Sequence, residues 1–164
     1  MKEIRPYELT GNLFTMLDKD WMLITAGDQR GCNTMTASWG GFGVLWGRCV
    51  AHAYIRPTRY TYEFVEKSDR FTLTFFGGAK RDALTLCGKK SGRDGDKIAE
   101  AGLVPVYGEG TTWFEDASVV LLCKKIYAYD IDPACMIDRS IESNYHNDYH
   151  RAYIGEIEKV LIAD

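Results

Sequence analysis

The feature that most constrains this chain is a side-chain period of two. Between Cys32 and Trp39, Thr34, Thr36 and Ser38 alternate with Met35, Ala37 and Trp39. An extended strand therefore sends small hydroxyls to one face and apolar groups to the other. The alternation returns in Phe71-Thr72-Leu73-Thr74-Phe75, and Trp21–Ala26, Arg48–Ile55, Thr111–Glu115, Ala117–Tyr129 and Ala152–Leu161 read as further strands. The predicted helices are short. One is capped by Asn12 and carries Leu13, Phe14 and Leu17; another runs from Thr58 through Glu66 with Tyr60 and Phe64 on its apolar face. Ala83, Leu84 and Cys87 suggest a helical turn closed by Gly88, a short helix follows Lys97 to Ala101, and Met136–Ile141 reads as a helical patch. Gly40–Gly47 is expected to be a glycine-rich link and Lys89–Lys97 a polar loop. Strands parted by turns favour a closed, mainly β barrel with helical insertions over alternating βαβ units. With 164 residues, no internal repeat and no long linker, one domain over residues 1–164 is expected.

Composition narrows the partners. Hydrophobic residues at 46% and charged residues at 26% exclude a disordered or fibrous chain. Twenty Lys and Arg against 23 Asp and Glu give a net charge of −3, which argues against a nucleic-acid footprint. The longest apolar run, Val119–Cys123, falls far short of the ~20 residues of a membrane span. Met1–Pro6 lacks the apolar core of a signal peptide, so a cytoplasmic protein without membrane or nucleic-acid partners is expected.

Several catalytic signatures are missing. The five cysteines (Cys32, Cys49, Cys87, Cys123 and Cys135) are scattered and odd in number, which suits neither a zinc site nor a disulfide framework; buried thiols are expected. His146 and His150 could share a metal only on a helix, and Ser143–Asp148 is turn-rich, so surface or ligand-facing histidines are expected and no metal. Gly41–Gly47 misses the dinucleotide-binding glycine pattern by one position, and Ser38 lacks the glycine of a nucleophile elbow. Two segments exceed structural need. Arg56-Pro57-Thr58-Arg59-Tyr60-Thr61 crowds two cations and hydroxyls at a strand end and helix start, where free amides and the helix dipole favour phosphate; an ordinary capped turn explains it too. Ser91-Gly92-Arg93-Asp94-Gly95-Asp96-Lys97 reads either as an anion-binding nest or as a surface loop. Met35 and Trp39 read as core residues or as part of a site.

Taken in order, Asn33–Trp39, Arg56–Thr61, Phe71–Phe76, Ser91–Lys97 and Tyr153–Ile157 resemble the flavin reductase-like family of FMN-binding split barrels, which includes flavoredoxins. The likeness spans about residues 10 to 160, although Pro105–Asn147 matches none of its motifs. The resemblance implies a six-stranded antiparallel split barrel, a homodimer and noncovalent FMN near the subunit interface. It implies that Asn33, Thr34, Met35, Thr36, Ala37, Ser38 and Trp39 run along the flavin ring. Arg56, Thr58, Arg59, Tyr60 and Thr61 would hold the phosphate and ribityl chain, with Ser91, Gly92 and Lys97 reaching the same ligand. His150 or Tyr149 would come from near the ring. No side chain is implied as a catalytic nucleophile, because the flavin carries the redox chemistry. Three functions follow: a reductase passing electrons from NAD(P)H through FMN to free flavin or another acceptor, an FMN electron carrier for a redox partner protein, or a non-catalytic barrel holding a phosphorylated ligand.

Overall fold

The computed structural model describes residues 1–164. Its strands are β1 (Lys2–Ile4), β2 (Met22–Asp28), β3 (Gly31–Ala37), β4 (Gly40–Leu45) and β5 (Arg48–Ile55), followed by helix α1 (Tyr60–Lys67) and β6 (Arg70–Phe75). Helices α2 (Arg81–Lys89) and α3 (Lys97–Glu100) come next, then β7 (Pro105–Gly108), β8 (Thr111–Phe114), β9 (Val119–Asp130) and β10 (Arg151–Ile162). The main sheet runs β3-β2-β6-β9-β10-β5-β4, with β1 also paired to β10; β7 and β8 form a separate hairpin. Every pairing is antiparallel. The architecture is the mainly β split barrel with short helices, and no helix is long and apolar enough to cross a membrane.

The main sheet has eight strands where six were expected: β1 adds one at its edge, and Gly40–Gly47 adds another because it is not a link. Gly40–Leu45 pairs residue by residue with β5, and Trp46 and Gly47, both at positive φ (53° and 71°), make the tight hairpin turn. A side chain on Gly40 would lie 2.9 Å from the His52 carbonyl oxygen, so glycine lets this strand start against its neighbour. Composition pointed to a loop; backbone pairing makes a strand.

Alternation divides the interior in two. Ile24, Phe71, Leu73, Leu121 and Cys123 face the barrel core, while Leu23, Val120 and Leu122 face a second cluster with Leu84, Ile98 and Phe114. β2 is buried on both faces and reads as a continuous apolar run for that reason. The long β9–β10 pair is the spine, and its register shifts between Ile154 and Gly155. A Cβ on Gly155 would lie 2.7 Å from Cys123 Cβ and 2.8 Å from the Phe71 ring. Gly155→Ala is therefore expected to destabilise the fold by roughly 1–3 kcal/mol through overpacking, lowering the melting temperature by roughly 2–12 °C. Thermal unfolding followed by circular dichroism measures this, and an unchanged midpoint would show that the strand yields freely there.

Candidate functional site

Three concavities follow one another along β3 and the start of α1. The first, about 230 Å³, lies against α2 and is lined by Trp21, Thr36, Ser38, Leu84, Gly88 and Lys89 among others. The second, about 210 Å³, is bounded by Met35, Thr36, Ala37, Ser38, Trp39, Tyr54, Arg56, Arg59 and His150. The third, about 80 Å³, is formed by Thr58, Arg59, Tyr60, Thr61, Lys89, Lys90, Ser91 and Lys97. Thr36, Ala37 and Ser38 are common to the first two, Arg59 joins the second to the third, and Lys89 joins the first to the third. The result is one channel with an aromatic end and a cationic end. No carboxylate lines any of its parts.

Local folding explains who faces the channel. The side chain of Thr34 is wholly buried: its hydroxyl donates to the Ile24 carbonyl and lies 2.8 Å from Thr25 Oγ1. Asn33 is also buried, and its Nδ2 donates to Thr61 Oγ1 over 2.7 Å. Thr36 donates to the Leu84 carbonyl of α2. Met35 packs into the core with one side on the cavity, and Trp39 is 47% exposed at its rim. Of the candidate ring segment, Met35 through Trp39 line the channel, whereas Asn33 and Thr34 brace it from within.

The aromatic end gathers Trp39 and His150, with ring centroids 5.3 Å apart, beside Tyr54 and Tyr145. His150 is buried, its Nδ1 has no partner, and burial followed by the Arg56 charge pushes its pKa down to about 4. It is therefore an uncharged imidazole at neutral pH, with a free ring nitrogen. Tyr149 turns elsewhere, stacking on Tyr145 and donating to Glu142. His146 sits in a turn at φ 46° rather than on a helix with His150.

At the other end, the three cations behave differently. Arg56 is committed to the chain before β10: it donates to the carbonyls of Asn144 (2.6 Å) and Tyr145, and lies 3.8 Å from Asp148. Thr58 donates to the same Asp148. Arg59 donates to the Gly88 carbonyl, and burial together with the neighbouring Arg56 charge lowers its pKa. Lys97 is buried and donates to the carbonyls of Cys87 and Lys90; burial pulls its pKa down to about 8. Neither Arg59 nor Lys97 has a carboxylate partner, so both hold charge that an anion would neutralise. Tyr60 and Thr61 supply the first amides of α1, which a helix start leaves unpaired.

Sequence reasoning missed Trp21, Tyr54, Lys89 and Lys90. Tyr54 was legible, since it shares the outward phase of β5 with Arg48 and His52; the lysines lay in what read as an ordinary loop. Cys87 and Cys123 are buried thiols as expected, with burial raising both pKa values, but Cys32 and Cys49 are only half-buried and Cys135 is exposed.

Residues 17–164 match the flavin reductase like domain family. The fold resembles flavoredoxin from Methanosarcina acetivorans with a TM-score of 0.69 at 18% identity, covering 98% of this chain and 77% of that one. Flavoredoxin of Desulfovibrio vulgaris gives a TM-score of 0.69 at 21% identity over 98% of this chain and 78% of that one. An FMN-binding protein from Thermus thermophilus, solved with bound 1-cyclohex-2-enone, gives 0.66 at 20% over 97% and 80%. A comparison with curated protein sequences gave no match. The match over nearly the whole chain, on a split barrel carrying this channel, means that the protein belongs to the flavin reductase like domain family.

Proposed function

We propose that the protein binds FMN noncovalently and passes electrons from NAD(P)H through it to free flavin or another acceptor. The observation that carries this reading is the polarity of the channel: aromatic at Trp39, Tyr54 and His150, cationic and free of carboxylates at Arg59, Lys89 and Lys97. A planar ring joined by a flexible chain to a phosphate has the same polarity. The orphaned Nδ1 of buried His150 adds an unsatisfied polar group where a heteroaromatic edge would lie.

Met35, Ala37 and Trp39 would wall the ring, with the β3 backbone and Ser38 offering hydrogen bonds along its polar edge. Arg59, Lys97, Thr61 and the α1 amides would hold the phosphate. When bound, FMN supplies the redox chemistry that no side chain here provides. Mixing NADH or NADPH with the purified, FMN-loaded protein, with and without free flavin, tests the reading. Nucleotide consumption that rises with added flavin is expected. A yellow protein that leaves both nucleotides unconsumed would instead be an electron carrier for a redox partner protein, a reading favoured by the likeness to two flavoredoxins. A colourless protein that takes up no FMN would be a non-catalytic barrel.

The geometry also separates the cations. Charge-assisted hydrogen bonds contribute about 1.5–3 kcal/mol, or roughly 10- to 150-fold in affinity. Arg59→Ala is expected to weaken FMN by about that factor while riboflavin, which lacks the phosphate, loses much less. Arg56→Ala should weaken both ligands together, because Arg56 holds the chain at the aromatic end. Lys97 attracts phosphate only while protonated. Its pKa of about 8 in the free protein means that FMN affinity falls as pH rises above that value, and a bound dianion moves the fall upward. Lys97→Ala should flatten the fall. Titrations with FMN and riboflavin between pH 6.5 and 10 read all three, and unchanged FMN preference in every variant would place the phosphate elsewhere.

A homodimer belongs to the same proposal. Trp46, Tyr127 and Tyr129 form an exposed aromatic cluster on the outer sheet, with Val44 63% exposed nearby on β4. Such surface suits burial against a second copy. Light scattering at micromolar concentration should return twice 18.6 kDa, and a single-chain mass would refute the dimer.

A further inference from the structure

A further concavity opens beside the cationic end of the channel. It measures about 380 Å³ and lies between β3, α1, α3 and β7. Its walls are the rings of Tyr60, Phe64 and Tyr107 and the aliphatic side chains of Ile98, Leu103 and Pro105. It meets the cationic end of the channel at Tyr60 and Lys97, which line both, and Gly92 closes its wall against Asn33, where a Cβ would lie 2.1 Å from Asn33 Oδ1. Two charged residues line it, and they act differently. The ammonium of Lys97 is turned away to the carbonyls of Cys87 and Lys90, which leaves its hydrocarbon stem as wall. Asp96 accepts from the Ala99 amide through Oδ1, while Oδ2 has no protein partner and no cation pairs with it.

An apolar, aromatic cavity with few polar groups is the usual form of a small-molecule site. Here the polar group is the exposed carboxylate of Asp96, and the rings of Phe64 and Tyr107 add negative charge density, while the Tyr60 ring already lies 4.8 Å from the Arg93 guanidinium. Both attract a cation. An anion would meet a carboxylate that no cation pairs with, and a neutral ligand would gain nothing from its charge. We infer that this cavity is a second ligand site, beside the channel, which binds an organic ammonium ion carried on a small aromatic body. The burial-raised pKa values of Cys32 and Tyr107, each raised further by the Asp96 charge, agree with a negative interior.

Calorimetric titration of the purified protein, with and without added FMN, tests this. The probes are tryptamine, its neutral counterpart tryptophol, and indole-3-propionate. Tryptamine is expected to bind at one site per chain, about tenfold more tightly than tryptophol, with the carboxylate weakest. Asp96→Asn keeps the cap on α3, since asparagine caps as well as aspartate, and should abolish the preference for the amine while leaving tryptophol unchanged. Ala99, exposed at the mouth, can be enlarged without touching the core; Ala99→Trp should block tryptamine and tryptophol alike. Absence of saturable tryptamine binding, an amine preference that survives Asp96→Asn, or binding that survives Ala99→Trp would each overturn the inference. So would displacement of tryptamine by FMN, because the cavity would then belong to the channel. Failure of FMN itself to bind would overturn the proposed function and leave this result standing.

Discussion

The amide of Asn33 is the joint on which the candidate site depends. Its Nδ2 donates to Thr61 Oγ1 on α1 and, at 3.4 Å, to the Thr34 carbonyl on its own strand, while Oδ1 lies against the backbone of Gly92. One buried side chain thus ties β3, the first turn of α1 and the segment between α2 and α3. A buried amide left without partners costs roughly 1–3 kcal/mol, so this residue favours only arrangements in which β3 and α1 are docked. Gly92 is part of the same device, because any side chain there would occupy the space of Asn33. The channel's shape follows from how close these three elements come.

That closeness also sets the electrostatics. Burying Arg59 and Lys97 beside one another without a carboxylate is unfavourable for both, and backbone carbonyls provide the compensation. Carbonyl oxygens leave a guanidinium or ammonium fully charged, unlike an ion pair, which would neutralise it. The cationic end is therefore preorganised yet unneutralised. Of the nearby acidic residues, Glu63 pairs with Arg93 and Asp96 caps α3, while Glu100 pairs with Lys90 at the rim of the cationic end. Arg59, Lys89 and Lys97 have no carboxylate partner, and this keeps the field there positive.

How much of this was legible in the sequence depends on range. Period-two alternation located β3 and β6 because each has two faces of different chemistry; α1 was placed within two residues, but Thr58 does not cap it, since Arg59 takes the cap position and the Thr58 hydroxyl donates to Asp148. Gly40–Leu45 escaped because a strand that pairs through backbone alone, with three glycines, leaves no side-chain signal. β7 escaped because a four-residue strand opening on Pro105 reads as a turn. The site divided likewise. Residue types marked the segments that build the channel, whereas the partner of each side chain was invisible. Asn33 and Thr34 carry polar groups suited to a ligand, yet both spend them inside the protein, on atoms supplied by α1 and β2.

Arg56 shows why such assignments turn on tertiary structure. By composition it stands beside Thr58 and Arg59 as one of a cluster of phosphate-binding groups. Its acceptors, however, are carbonyls 88 and 89 residues later, and its guanidinium lies 5.6 Å from the Tyr145 ring centroid. Thr58 joins it by holding Asp148. Together they fasten the motif-less segment before β10, so that Tyr145 packs on Trp39 and His150 and closes one wall of the aromatic end. A phosphate ligand and a fastening of this kind differ physically. Loss of the first leaves the ring contacts whole, whereas loss of the second frees Tyr145, His150 and Trp39 at once. The contacts of Arg56 are of the second kind. The cationic end therefore rests on Arg59 and the lysines, and Arg56 gives the aromatic end its shape.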